Sequence, residues 1–215
     1  MKKITLIAAL AVFSFSAVQS QELRLGAKAG VNFASIGGDQ TDEFDARTSF
    51  HLGALVEIPI SEKFSVQPEI LYSSQGAKAD ESDTFMGQTI SYEYKRKLDY
   101  INIPIMAKYY VIEGLSIEAG PQFGILVSAN DELEISGGDN SGSEENDIKE
   151  FFNTLDIGFG LGAAYRLNNG IFFSARYVLG ITDILKDEDS EYDEGEFEKF
   201  KQHNNVFQVS AGYSF

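Results

Sequence analysis

Cysteine is absent from the 215 residues. That excludes a lipid anchor on a cysteine, a disulfide scaffold and a thiol nucleophile. Only two histidines are present, at positions 51 and 203, so imidazole-based metal or catalytic sites have little material to work with. Basic residues are scarce as well, 17 against 33 acidic ones, for a formal net charge of −16. A surface of that sign repels a phosphate backbone, which excludes nucleic acid as a partner. Beyond the first twenty residues no apolar run approaches the roughly 20 residues of a transmembrane helix, so a helical inner-membrane protein is excluded. What is abundant is glycine (20), phenylalanine (17) and tyrosine (10).

The first twenty residues read as an address. Lys2 and Lys3 give a positive start, Ile4 to Val18 an apolar stretch, and Val18-Gln19-Ser20 a small-residue cleavage site before Gln21. Residues 1–20 are thus predicted to be a cleaved signal peptide, and residues 21–215 one exported domain. That apolar stretch is short for a span and lacks a stop-transfer flank.

Within the domain, apolar and polar residues alternate with a period of two in eight separate runs, the pattern of strands with one apolar face. The first sets Leu23, Leu25, Ala27, Ala29, Val31 and Phe33 against Arg24, Lys28 and Asn32. The second sets Phe50, Leu52, Ala54, Val56 and Ile58 against His51 and Glu57, and the third Phe64, Val66, Pro68, Ile70 and Tyr72 against Gln67 and Glu69. Further runs begin near Ile101, Leu115, Leu155, Ile171 and Phe207. Each is about the 9–11 residues that a tilted strand needs to cross a bilayer.

The connections alternate in length. Ser61-Glu62-Lys63, Ile112-Glu113-Gly114 and Asn168-Asn169-Gly170 are tight; Gly37 to Ser49, Gly76 to Lys97, Ala129 to Glu150 and Thr182 to Asn204 read as long polar loops. Nearly all of the net negative charge falls in the long ones, most heavily in the last two. Short turns at one end and long loops at the other are the habit of outer-membrane barrels. The fold is therefore expected to be all-β, an eight-stranded antiparallel up-and-down transmembrane β-barrel. Its termini and short turns would face the periplasm and its acidic loops the exterior.

Volume decides which face looks inward. Eight strands enclose only enough room for side chains, and eight rows of Leu, Ile, Phe and Tyr would overfill it. The smaller polar faces carry Arg24, Lys28, Glu57, Glu69, Lys108, Glu118, Asp156, Arg166 and Arg176. Five cations and four anions facing one another across a lumen can pair, as buried charges must. The expectation is a lumen plugged by charge; the alternative is a narrow passive channel lined by the same groups. Phe33, Phe50, Phe64, Tyr72, Tyr109, Phe173, Tyr177 and Tyr213 near strand ends fit an aromatic girdle, though aromatics are enriched in strands generally. The closing run to Tyr213 and Phe215 is similar to the terminal signal read by the outer-membrane assembly machinery.

Several stretches together resemble the porin-family, PorT-like outer-membrane β-barrel proteins of Bacteroidetes: Leu25–Phe33 (LGAKAGVNF), Leu98–Tyr110 (LDYINIPIMAKYY), Glu118–Gly124 (EAGPQFG), Asp156–Gly162 (DIGFGLG) and Ala175–Thr182 (ARYVLGIT). The resemblance spans essentially the whole domain. It implies a Gram-negative envelope protein embedded in the outer-membrane lipid bilayer, with some members tied to secretion of other proteins.

No catalytic constellation is evident. His51 beside Ser49 lacks a third, orienting group at recognisable spacing, so His51 reads as a residue of the outer rim and the chain as a non-enzyme. Asp187-Glu188-Asp189 and Glu191-Tyr192-Asp193-Glu194 could offer oxygens to a divalent cation, but without EF-hand spacing they read as solvated loop. No cofactor or metal is expected. The expected role is a monomer that displays loops or serves an envelope or secretion complex.

Overall fold

The computed structural model describes residues 23–39, 41, 44–85, 88–137, 141–186 and 200–215. The proposed signal peptide and both acidic stretches at 187–189 and 191–194 lie outside the described residues. Among the described residues there are nine strands: β1 (Arg24–Gly38), β2 (Asp45–Pro59), β3 (Phe64–Phe85), β4 (Gln88–Ile112), β5 (Leu115–Ser136), β6 (Gly142–Asp147), β7 (Leu155–Arg166), β8 (Ile171–Gly180) and β9 (Gln202–Ser214). A single 3-10 turn, Lys149–Phe151, precedes β7.

Eight of these strands close into a ring in the order β1, β2, β3, β4, β5, β7, β8, β9, each antiparallel to its neighbours. The ring closes where β1 meets β9, from Gly26 opposite Ser214 to Gly38 opposite Gln202. Closure leaves no free strand edge within the ring, which is what allows a β-sheet to sit in lipid. The tight turns rest on Gly114 (φ 79°) and Gly170 (φ 89°), conformations that a Cβ would disfavour.

The expected faces are the observed ones. Leu25, Val31, Phe33, Leu52, Ile70, Ile105, Ile117, Phe123, Leu161, Phe173, Leu179 and Val209 all stand exposed on the outside. So extensive an apolar exterior suits contact with hydrocarbon. Aromatic side chains meet across strands on this face: Phe33 stacks on Phe207 with ring centroids 6.3 Å apart, and Phe50 lies 5.7 Å from Tyr72.

Two of the four expected long loops are largely strand. β3 and β4 stay paired from Gly76 and Lys97 out to Phe85 and Gln88, well past the ring. β4 also pairs with β5 as far as Ser91 and Ser136, and β6 adds to the outer part of β5. The charges that made these segments look like loop are what joins them. Lys97 meets Glu132 at 2.9 Å, Lys95 meets Glu134 at 3.1 Å, and Arg96 meets Asp131 at 2.9 Å. Opposite charges across an antiparallel pair stabilise it where like charges would not. Ile90, Tyr92 and Tyr94 meanwhile keep the period of two. The ninth strand, β6, belongs to this protruding sheet and not to the barrel.

Candidate functional site in the barrel lumen

The lumen is organised along β1, whose inward positions Arg24, Lys28, Asn32 and Ile36 each belong to a different group of side chains. Four residues of strand separate successive groups, about 13 Å along the chain. Arg24 lies at the short-turn end and Ile36 at the long-loop end.

At the short-turn end one carboxylate serves three cations. Glu57 lies 3.2 Å from Arg24, 3.3 Å from Lys108 and 3.9 Å from Arg166, and it accepts the Tyr110 hydroxyl at 2.5 Å. Gln67 holds Lys108 from the other side at 3.0 Å. The Tyr110 ring lies under both cations, 5.7 Å from Lys108 Nζ and 5.9 Å from the Arg166 guanidinium carbon.

One level up, charge is balanced and buried. Glu69 takes Lys28 Nζ at 2.7 Å on one oxygen and Arg176 in a two-pronged contact at 2.7 and 3.0 Å. Arg176 reaches on to Glu118, its Nε 2.8 Å away. The side chains of all four are 2% exposed or less. They come from β1, β3, β5 and β8, every second strand of the ring, so one layer of long side chains fills the cross-section. Gly162 lets the Arg176 backbone come close: a Cβ there would lie 2.6 Å from the Ala175 oxygen and 3.0 Å from Arg176 Cα.

Above that layer lies a neutral network. His51 Nδ1 is 2.7 Å from Asn32 Oδ1, and His51 Nε2 is 2.7 Å from Ser210 Oγ. Asn32 also accepts from Gln208 at 3.1 Å and donates to Ser73 Oγ at 3.0 Å. Since Asn32 presents its oxygen, His51 carries its proton on Nδ1 and can accept the Ser210 hydroxyl on Nε2. His51 is therefore not a rim residue. It faces inward as its parity on β2 requires, but it lies opposite Gly30, between the levels of Lys28 and Asn32, and Ser49 donates instead to the Ser74 carbonyl at 2.6 Å. Ser210, His51 and Asn32 do have the hydrogen-bond order of nucleophile, base and orienting group. All three are buried, with exposures of 4% or less.

Asp156 stands apart from the ion pairs. It accepts from Thr182 at 3.0 Å and from Asn204 at 3.1 Å, and no cation pairs with it among the described residues. Asn204 also bonds to the Tyr100 hydroxyl at 3.0 Å. Of the nine charged positions singled out from sequence, eight fall into the two ion-pair groups and Asp156 does not.

The long-loop end is closed by an apolar cap that the sequence did not announce. Phe152 and Ile184, from the segments flanking β7 and β8, pack onto Ile36, Ala77, Leu98, Tyr100, Leu126 and Ala129. Backbone bonds tie the two segments to each other, Asn153 N to Ile184 O at 2.8 Å and Lys186 N to Phe151 O at 2.9 Å, and to β9, Ile184 N to Gln202 O at 2.9 Å. Arg96 lies over the Phe152 ring at 5.5 Å while its head group is held by Asp131. Tyr94, in the protruding sheet, donates to Asp131 as well; burial and that bond push its hydroxyl up to about 12. Parity alone would have found Asn32, His51, Gln67 and Ser210, all on the polar face. Phe152 and Ile184 lie in irregular segments where no periodicity marks them.

Residues 19–186 match the family model described as outer membrane protein beta-barrel domain. Among curated proteins, none matches the chain. Solved structures similar to it include Ail of Yersinia pestis, with 12% identity, a TM-score of 0.43, and coverage of 90% of this chain and 99% of that one. Neisserial surface protein A is similar over 89% of this chain and 97% of its own, with 10% identity and a TM-score of 0.48. OprG from Pseudomonas aeruginosa shares 15% identity over 90% and 94%, with a TM-score of 0.35.

Proposed function

The chain belongs to the outer membrane protein beta-barrel domain family, and from that premise we propose that it is a closed envelope barrel. Its work is done by what it holds above the membrane, with neither conduction nor catalysis as its task. The observation that carries this reading is the layer of Lys28, Glu69, Glu118 and Arg176, fully buried and mutually paired across the lumen. An ion crossing that layer would have to part charges shut off from bulk solvent, each breakage costing about 3–5 kcal/mol. The apolar cap of Phe152 and Ile184 adds a second obstruction at the long-loop end.

In this reading the short turns face the periplasm and the sheet of β3, β4, β5 and β6 stands outside the cell, where an envelope or secretion complex would meet it. The motifs around Leu98–Tyr110 and Asp156–Gly162 favour placement in the PorT-like branch. Planar-bilayer recording of the purified barrel tests the closed lumen. Silence at all voltages is expected, and steady unit currents from the unmodified protein would sink the reading in favour of a narrow channel. Pull-down from intact outer membranes, with and without β6, tests the external sheet.

A further inference from the structure

The ion-pair group at the short-turn end is out of balance, and it borders open space. Glu57 is the one carboxylate among Arg24, Lys108 and Arg166, so this group carries two positive charges in excess, while the layer above it is neutral. A carboxylate has room for two strong partners on each oxygen, yet Arg166 reaches it only at 3.9 Å, beyond hydrogen-bond distance. Excess charge of this kind calls for an anion.

Two cavities of about 380 and 340 Å³ open at this end of the barrel, and both are lined by Arg24, Arg166, Glu113 and Gly114. Deeper in, beside Lys108, the free space falls to about 10 Å³, the room of a single water. Arg24 and Arg166 keep side-chain exposures of 35% and 25%, so their guanidinium groups border the open space and not the sealed interior. Ser214 lines both the first cavity and this small deeper void, and its Oγ is buried without a hydrogen-bond partner. Other charges at this mouth, Glu62, Lys63, Glu113 and the terminal carboxylate of Phe215, sit at exposed positions where solvent screens them.

We propose that this vestibule binds an oxyanion, a phosphate or carboxylate group held between Arg24 and Arg166. Paired guanidinium groups are the side chains best shaped for such oxygens. The group can be presented by a soluble periplasmic molecule or by a phospholipid of the inner leaflet. The two sources share the chemistry and differ in what they bring with it.

The test uses the folded barrel in an uncharged detergent, with folding verified by the heat-dependent shift in gel mobility. Binding of inorganic phosphate, of succinate and of short-chain phosphatidylglycerol is followed by calorimetry and by the tyrosine absorbance that Tyr110 contributes. Saturable binding is expected, weakened at least about tenfold in the R24Q/R166Q variant, a loss of about 1.4 kcal/mol or more, and left nearly unchanged in K78Q, at the opposite end of the barrel. Glu57→Gln, which removes the competing carboxylate, is expected to tighten it. Phosphate or succinate binding alone identifies a soluble ligand, and phosphatidylglycerol binding alone a lipid. Absence of saturable binding to all three, or equal binding by the wild type and R24Q/R166Q, overturns the proposal. Because R24Q and R166Q lie outside the Glu69 layer, their failure to bind leaves the closed-lumen reading intact, which conductance tests separately.

Discussion

Substituting Arg176 by methionine removes the cation that spans two carboxylates. Methionine roughly preserves the aliphatic stem, so the change is one of charge and hydrogen bonding rather than of packing. Glu69 would keep Lys28 at 2.7 Å and Gln67 at 2.7 Å, but Glu118 would lose its ion-pair partner while fully buried. Charge centres about 4 Å apart attract with about 4 kcal/mol at an effective dielectric constant near 20. Removing one member of a buried pair costs about 3–5 kcal/mol, because the other charge is left buried and unpaired. We expect R176M to lower unfolding free energy by about 4 kcal/mol. Pairing it with Glu118→Gln removes the orphaned charge and leaves Lys28 and Glu69 as a neutral pair, so R176M/E118Q should recover half or more of that loss. The measurement is urea unfolding in lipid vesicles, followed by gel mobility and far-UV circular dichroism, with all four corners of the mutant cycle. A loss below about 1 kcal/mol for R176M, or a double variant no more stable than R176M, would refute the argument that charge balance holds this layer.

Three further outcomes follow from other parts of the molecule. Phe152→Ala should melt the cap locally, at about 3 kcal/mol, with faster amide exchange around Asn153 and Ile184 and no change in the barrel's midpoint; a cooperative global loss would contradict a separable cap. Gly212→Ala should destabilise the barrel by about 1–3 kcal/mol, since its Cβ would lie 2.3 Å from the Phe172 ring and 2.5 Å from the Ala27 carbonyl; wild-type stability in urea would show that the strands slide apart freely. Tyr94 should ionise near 12, because burial and its bond to Asp131 favour the neutral phenol. Since the folded value lies above that of the unfolded chain, its contribution is complete below about pH 10 and is lost as pH climbs through the folded value. The difference in tyrosinate absorbance between wild type and Tyr94→Phe reads this directly, and a component titrating near 10 would exclude the buried bond.

Period-two alternation from Leu23 to Phe215, read together with eight-strand volume, was enough to name the fold and to say which face of each strand looks inward. Those are local properties: each residue's side is settled by its parity, and every strand repeats the same vote. The charged composition of Gly76 to Lys97 and Ala129 to Glu150 misled for the complementary reason. Lys95, Arg96 and Lys97 look solvated until Asp131, Glu132 and Glu134 are set opposite them, and that register belongs to the pairing of two strands. Which inner charges meet was equally out of reach. Glu69 and Arg176 stand 107 residues apart, His51 and Ser210 stand 159 apart, and their distances depend on strand stagger around a closed ring. The parity of one strand says that a side chain enters the lumen. Its level there, its partner, and the fact that Glu57 answers to three cations while Asp156 pairs with none among the described residues arise only once all eight strands close and share one small interior.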